Sequence, residues 1–312
     1  MRTKIWLALM AVYIAWGSTY LAIRFAVETI PPFLMAGFRF LIAGAILYIW
    51  RRLAGDVVPT RIQWRSAAIV GLLLLLGGNG GVVWAEQRVA SGIAALIVGS
   101  APLFMVLIDA LRPGGQRPNW QTGSGVLVGF MGIALLIGPS QWVGNGLHMD
   151  TTGVLVLLLA SVLWALGSLY NRNAQLPSSP LLGTGMEMLA GSAGLFLLGT
   201  LTGEWGRLDL AAITPRSLWG LLYLITFGAL VGFAAYTWLL RVAPTPLVAT
   251  YAYVNPLIAI FLGNLLANEP LTPRLLVAAL VIVSAVALIN TGRAKKASLP
   301  LQTAAIPATG ED

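Results

Sequence analysis

The chain contains no cysteine and a single histidine, His148, among its 312 residues. Without cysteine there can be no disulfide, no thiol nucleophile and no thiolate-bound metal. One histidine cannot form a histidine cluster around a metal ion. Charged residues make up only 10% of the chain, whereas soluble domains carry about 25%. No P-loop motif is present, so ATP-driven chemistry by this chain alone is not expected. These absences predict no catalytic residue, no metal site and no cofactor.

Apolar residues dominate instead, at 58% of the chain with a mean hydropathy of +0.83. A helix of about twenty apolar residues crosses roughly 30 Å of hydrocarbon, which predicts an all-α membrane protein with ten transmembrane helices. Arg2 and Lys4 precede the first apolar run as in a signal peptide, but no small-residue cleavage site follows, so the run is interpreted as a retained span. The predicted spans are residues 5–23, 33–50, 66–85, 93–111, 121–139, 151–170, 181–201, 218–240, 247–267 and 273–290.

The second five spans repeat features of the first five. Residues 84–102 and 237–256 each contain an Arg-Val pair, a short loop signal and an apolar run that ends in proline. Five spans per half is an odd number, so homologous halves must be inverted relative to each other. We therefore predict two inverted five-helix repeats (5+5), in residues 1–140 and 141–290, followed by a disordered cytoplasmic tail at 291–312. Glycines inside the spans, including the run 77–81, predict close helix packing, with a hinge as the competing interpretation.

The basic residues are unevenly distributed between the two sides of the membrane. The net charge of +8 could suggest nucleic acid, but the basic residues lie in short turns between apolar segments, so no nucleic-acid partner is predicted. Thirteen of the nineteen Lys and Arg residues fall in the termini and the loops after even-numbered spans, and five fall in the loops after odd-numbered spans. The positive-inside rule then predicts a multi-pass inner-membrane protein with both termini in the cytoplasm.

Polar and aromatic residues in the middle of spans are the candidate substrate-binding residues. Aromatic rings suit a flat or cationic ligand, through stacking and cation–π contacts. The competing interpretations are helix-packing hydrogen bonds and the aromatic belts of the membrane interface. Trp16, Thr19 and Tyr20 share one helical face, and Asn255 precedes Pro256, which leaves a backbone carbonyl free. The candidates are Trp16, Thr19, Tyr20, Asn79, Trp84, Trp164, Ser168, Tyr236, Trp238, Tyr251 and Asn255.

Three ionisable residues within or at the ends of the spans are candidates for gating or coupling: Arg39, Glu86 and Glu187. Arg39 and Glu187 occupy matching positions in the two repeats, and inversion places them at different depths, so they are not expected to pair. We expect Arg39 to pair with Glu86 or Glu28, and Glu187 with Arg172 or Arg241. Structural clamps between helices, a gate, and a proton-coupling role for Glu187 remain open alternatives.

In the order of its motifs the chain resembles the EamA-type ten-helix transporters of the drug/metabolite transporter superfamily, and within them the bacterial inner-membrane exporters. The resemblance covers residues 5–290 and departs from the family pattern at 112–117, where a Glu-rich turn is replaced. It rests on Trp16-Gly17-Ser18-Thr19, on Pro32 with Arg39-Phe40, and on Ser91-Gly92-Ile93-Ala94 leading to Pro102. In the second half it rests on Trp164 with Gly167-Ser168, Glu187-Met188, Tyr251 to Pro256, and Asn268-Glu269-Pro270-Leu271-Thr272.

The resemblance implies secondary-active export of amino acids, aromatic ones among the candidates, or of related small metabolites and drugs, by alternating access. The implied partners are a small-molecule substrate and membrane lipid, with protons as the candidate coupling ion, in a monomer or weak dimer. A lipid or nucleotide-sugar translocator on the same fold remains an alternative. A polytopic membrane enzyme fits less well, because the acidic residues are scattered singly.

Overall fold

A computed structural model describes residues 2–115, 117–138 and 150–298. Within these ranges the chain is helical, and it contains no strand. His148 and residues 299–312 lie outside the described residues. The predicted tail was wrong at its start, because the last helix continues to Ser298 instead of ending at residue 290.

Ten apolar segments cross the structure, in agreement with the predicted all-α fold. Nine helices within the described residues are long and apolar enough to span a membrane, and Tyr251–Ala267 is a shorter apolar helix. Most ends lie within a few residues of the predicted ends. We number them spans 1 to 10: Arg2–Ala26, Pro32–Leu53, Arg61–Ala85, Ser91–Leu111, Trp120–Ile137, Thr151–Asn171, Pro180–Leu201, Pro215–Leu240, Tyr251–Ala267 and Pro273–Gly292.

The helix contacts follow the inverted repeat. Spans 1 to 5 have spans 6 to 10 as their counterparts in the second repeat. When each span is replaced by its counterpart, every main helix contact becomes a contact that is also present. Span 2 packs on span 7, span 5 on span 10 and span 4 on span 9, and each of these contacts maps onto itself. The contact of span 3 with span 6 has its mate in the contact of span 8 with span 1. The two repeats are therefore interleaved, and their main helix contacts are with each other.

Several spans depart from a regular α-helix. Spans 3 and 8, which are counterparts, each contain a π-helical segment, Leu72–Asn79 and Leu224–Val231. Span 1 is interrupted at Ser18, and span 4 at Ser100, just before Pro102. A short helix, Thr245–Val248, precedes span 9. Because π segments and helix breaks free backbone groups from the regular ladder, they are frequent at functional sites.

Glycine allows the closest helix crossings. A Cβ on Gly71 of span 3 would lie 2.3 Å from the carbonyl oxygen of Glu187 in span 7, and one on Gly191 would lie 3.0 Å from the carbonyl oxygen of Gly71. In the run at residues 77–81, Gly77 and Gly78 face Leu163 and Trp164 of span 6. These contacts are those expected of close packing, because small residues let helix backbones approach in lipid. A hinge in this run stays a prediction.

Candidate substrate site

Four aromatic rings from three spans meet at the interface between the two repeats. Trp16 of span 1 lies with its ring centroid 5.3 Å from Phe233 and 5.1 Å from Tyr236, both in span 8. It lies 5.1 Å from Tyr251 in span 9, and Tyr236 and Tyr251 are 5.7 Å apart. We call these four residues the Trp16 cluster. Edge-on and tilted contacts at these distances are the favourable arrangements for aromatic pairs.

Hydrogen bonds hold span 1 against the second repeat around this cluster. The Trp16 Nε1–H donates to the carbonyl oxygen of Gly228, 3.1 Å away in the π-helical segment of span 8. The Ser18 and Tyr223 hydroxyls lie 2.7 Å apart, and the Tyr13 and Thr250 hydroxyls are also hydrogen-bonded. The break in span 1 at Ser18 thus lies where its side chains contact span 8. The cluster is fixed by polar contacts as well as by ring packing.

Arg39 in span 2 and Glu86, directly after span 3, are buried charged residues. Their side chains are 3% and 1% exposed. Among the described residues, no hydrogen-bond partner is found for Nε and Nη1 of Arg39 or for either carboxylate oxygen of Glu86. The Glu86 carboxylate approaches the backbone amide of Arg24 and interacts electrostatically with Arg39, but Arg39 and Glu86 form no ion pair within 4.0 Å.

Two other buried carboxylates have partners, and both cap helix starts. Glu269 accepts hydrogen bonds from the backbone N–H groups of Ser91 (2.8 Å) and Gly92 (3.1 Å), where span 4 begins. Glu204 accepts from the N–H groups of Phe33 (3.3 Å) and Leu34 (2.9 Å), at the start of span 2. The first N–H groups of a helix have no partner within it, and the helix dipole favours negative charge there. These carboxylates are therefore already satisfied by backbone donors.

Ion pairs join the two repeats at the face that carries the loops after odd-numbered spans, the odd-loop face. In each of three pairs, one partner belongs to the first repeat and the other lies at or beyond the start of the second. These cross-repeat ion pairs are Arg24–Glu269 (3.5 Å), Arg216–Glu28 (3.3 Å) and Arg88–Asp150 (3.4 Å).

Asp150 lies in the loop before span 6. The hydrogen bond from the Gly153 N–H and, to a smaller extent, the one from Arg88 hold the pKa of Asp150 below its ordinary value.

At the opposite, even-loop face, the ion pairs seen among the described side chains stay within the first repeat. Arg51 pairs with Asp56 at 2.6 Å, and Arg112 with Asp109 at 2.7 Å. The Arg51 guanidinium, followed by the Ser179 hydroxyl at the start of span 7, keeps the pKa of Asp56 below its ordinary value. The two faces therefore differ in how salt bridges connect the repeats.

The structure brings some of the predicted site residues together. Trp16, Tyr236 and Tyr251 form most of the Trp16 cluster, and Thr19 lies beside Gly228, with its Cγ2 3.0 Å from a Cβ at that glycine. Tyr20 lies near Glu86 and Tyr251. Asn255 is buried near Gly17 of span 1, and no hydrogen-bond partner is found for its Oδ1 among the described residues.

Other predicted residues lie elsewhere. Trp164 packs against Gly78 at the crossing of spans 3 and 6, and Trp84 lies under the Arg88 guanidinium at 4.5 Å. Trp238 is exposed on its helix and makes none of the ring contacts found among the described residues. Asn79 ends the π segment of span 3, with no hydrogen-bond partner found for its Oδ1 within the described chain. Ser168 is half-buried in span 6.

The expected partners of the buried charges need correction. Glu28 pairs with Arg216, because both lie at the odd-loop face, so the expected Arg39–Glu28 pair was wrong. Glu187 is half-buried in span 7 and, within the described residues, forms no ion pair with Arg172. The side chain of Arg241 lies outside those residues.

Sequence reasoning missed two residues of the site, Phe233 and Gly228, and the helix-capping role of Glu204. Phe233 lies three positions before Tyr236, so helical spacing could have identified it. Glu269 belongs to the motif at residues 268–272, but the sequence alone assigned no role to it. Glu204 and Gly228 carry no local signal, because their contacts come from span 2 and span 1.

Comparison with known proteins identifies the fold family. The model of the EamA-like transporter family matches residues 3–138 and matches a second time over residues 151–291. The chain belongs to the EamA-like transporter family. Its two matches coincide with the two five-span halves described above.

Relatives within this EamA-like family are described as transporters. The chain is 39% identical to YedA of Escherichia coli K12, an uncharacterised inner membrane transporter, over 92% of this chain and 90% of YedA. It is 27% identical to the uncharacterised transporter YvbV of Bacillus subtilis, over 95% of each protein. A solved crystal structure superimposes with a TM-score of 0.62 at 20% identity, covering 91% of this chain and 96% of that one, and shows the same fold. The chain is thus a membrane transporter by family.

Proposed function

We propose that the protein is a secondary-active exporter of amino acids, aromatic ones among them, or of related small metabolites and drugs. We place it in the bacterial inner membrane with both termini in the cytoplasm. The observation that carries the proposal is the Trp16 cluster. One of its rings belongs to the first repeat and three belong to the second. A ligand bound there touches both repeats, so its binding depends on their relative position, as alternating access requires.

The cross-repeat ion pairs support a gate at the odd-loop face. In the proposed orientation this face is on the side of the membrane away from the cytoplasm. The Arg216–Glu28 and Arg88–Asp150 pairs are partly exposed, and such pairs contribute only about 0–1 kcal/mol each. They can hold the repeats together in one state and separate in another at small cost. The even-loop face lacks such pairs among the described side chains. When the repeats rock, the even-loop face would therefore open first, and it would open toward the cytoplasm.

The test is counterflow of radiolabelled phenylalanine and tryptophan in proteoliposomes with Trp16→Ala and Tyr251→Ala. Losing aromatic contact with the substrate should weaken apparent affinity about tenfold, which is about 1.4 kcal/mol. Trp219→Ala is the control, because Trp219 is 70% exposed and lies near the start of span 8, about 21 Å along the helix from Phe233. The pair Trp164→Ala and Tyr251→Ala tests the wider sequence prediction.

Unchanged affinity in Trp16→Ala and Tyr251→Ala would show that the cluster only packs helices. Failure across a broad panel of amino acids and metabolites, together with lipid movement between leaflets, would replace the proposal with lipid translocation. The same assay with an imposed pH gradient tests protons as the coupling ion. If Glu187 carries that proton, Glu187→Gln should abolish gradient-driven transport and retain counterflow.

A further inference from the structure

Arg39 and Glu86 are the charged side chains of this region whose polar atoms the fold satisfies least: Arg39 lies 4.8 Å over the Phe40 ring, and Glu86 approaches the backbone amide of Arg24. Glu269 binds backbone N–H groups and Arg24, and Glu28 binds Arg216. By contrast, Nε and Nη1 of Arg39 and both oxygens of Glu86 are buried, with no hydrogen-bond partner found in the described part of the chain. A buried charge without a partner is costly, so its retention indicates that another group satisfies it in the working cycle.

Glu86 interacts electrostatically with Glu269 and Arg24 and, more weakly, with Arg39, and Arg39 and Glu86 form no ion pair within 4.0 Å. Opposite charges that are buried together gain most when they form direct, hydrogen-bonded contacts. Here each presents its polar atoms without closing the pair. The arrangement supplies one cationic and one anionic contact in a single neighbourhood, which is complementary to a ligand that carries both charges.

The Trp16 cluster adjoins this charged pair. The Arg39 Nη2 lies 3.2 Å from the position of a Cβ on Gly228, and the carbonyl oxygen of Gly228 accepts the hydrogen bond of Trp16. Tyr20, four residues after Trp16 on the same helical face, lies near both Glu86 and Tyr251. One face of span 1 thus connects the aromatic rings with both charges.

We propose that Arg39 binds the α-carboxylate and Glu86 the α-ammonium group of an amino acid whose side chain lies against the Trp16 cluster. This inference rests on the proposed function and specifies its ligand as a zwitterion. The planar guanidinium can hold a carboxylate through two parallel hydrogen bonds. A zwitterion satisfies both buried charges at once, whereas an amine leaves Arg39 unpaired and a carboxylic acid leaves Glu86 unpaired. The predicted gating role of these two residues becomes a role in substrate recognition.

Three indole compounds distinguish the two contacts: tryptophan, tryptamine, which lacks the carboxylate, and indole-3-propionate, which lacks the ammonium group. Each is used to inhibit tryptophan counterflow by the purified full-length protein in proteoliposomes. We expect the wild-type protein to prefer tryptophan at least tenfold over both analogues. In Arg39→Gln, tryptophan and tryptamine should inhibit about equally. In Glu86→Gln, tryptophan and indole-3-propionate should inhibit about equally.

Matched controls are Arg61→Gln, at the start of span 3, and Asp209→Asn, in the loop after span 7, which change exposed charges and should leave the ranking unchanged. If Arg39→Gln does not yield folded protein, Arg39→Lys keeps the charge and loses the two-pronged contact. It should weaken tryptophan several-fold and leave tryptamine unaffected.

The recognition proposal is overturned if each variant weakens all three compounds by the same factor, or if the wild-type protein does not discriminate among them. That result, with tryptophan still transported, leaves the proposed function intact. If no amino acid exchanges in the wild-type protein while another metabolite does, the proposed function itself fails.

Discussion

At the scale of single residues, Glu204 and Glu269 solve the same problem in different parts of the chain. Each is a carboxylate buried at the odd-loop face, and each places its two oxygens on two successive N–H groups at a helix start. Glu204 is fully buried, and Arg207 lies 3.8 Å away from it. Charge-assisted hydrogen bonds to backbone donors compensate the loss of hydration, so these acids are structural.

Glu204→Gln should therefore destabilise the protein without changing substrate preference. The amide keeps the side chain's shape but presents an NH₂ group to a backbone donor, and lost hydrogen bonds to a charged group cost about 1.5–3 kcal/mol. Thermal unfolding in detergent should show a lower midpoint. Asp209→Asn is the control, since Asp209 is exposed in the same loop and its replacement should change stability by less than about 0.5 kcal/mol. Equal midpoints for both variants would contradict the capping role.

At the scale of helices, the crossing of spans 3 and 7 depends on backbone contact. Gly71 and Gly191 lie against each other's helices, and the nearest atoms to a Cβ on Gly71 are backbone atoms of Glu187 and Gly191. Backbone atoms cannot rotate away as the end of a side chain can, so an added methyl group must push the helices apart. The π segment of span 3 begins directly after Gly71, at Leu72.

Gly71→Ala is expected to destabilise the fold by about 1–3 kcal/mol, the usual cost of overpacking. Gly123→Ala in span 5 is the matched control, because nothing lies within 4 Å of a Cβ at Gly123. Alanine favours a helix over glycine by about 1 kcal/mol, so this control should be neutral or slightly stabilising. Detergent unfolding midpoints give the comparison, and a neutral Gly71→Ala would mean that the crossing is looser than the structure has it.

At the scale of the whole molecule, the two repeats form one body by packing each span against spans of the other half. Three of these contacts join a span to its own counterpart: spans 2 and 7, 4 and 9, and 5 and 10. The pseudo-twofold relation exchanges the two members of each pair. Ion pairs connect the halves at the odd-loop face, and the aromatic cluster lies between them. The proposed alternating access requires the two halves to rock relative to each other about the cluster.

The proposed orientation can be read with single cysteines, because the natural chain has none. Leu210→Cys lies in the loop after span 7 and Val57→Cys in the loop after span 2, and the parent side chains are 75% and 86% exposed. A membrane-impermeant maleimide should label Leu210→Cys in intact cells with the outer membrane permeabilised, and Val57→Cys only after lysis. The reverse pattern would place both termini outside and overturn the orientation drawn from the basic residues.

The sequence alone predicted the spans, their ends to within a few residues and the duplication. These are properties of contiguous residues: each span is recognised by its own length and apolar content, and each repeat by its order of motifs. The inversion of the halves followed from the odd number of spans in each. The face of span 1 that carries Trp16, Thr19 and Tyr20 also followed from helical spacing.

The tertiary structure decided which side chains meet. Phe33 and Glu204 are separated by 171 positions, and Trp16 and Gly228 by 212, so no local pattern could reveal either contact. Arg39 was expected to pair with an acid, but Glu28 is bound by Arg216 and Glu86 stops short of it. Hydropathy determines that a segment enters the membrane. The packing of one helix against another determines which buried polar groups find partners within the chain and which remain for a ligand.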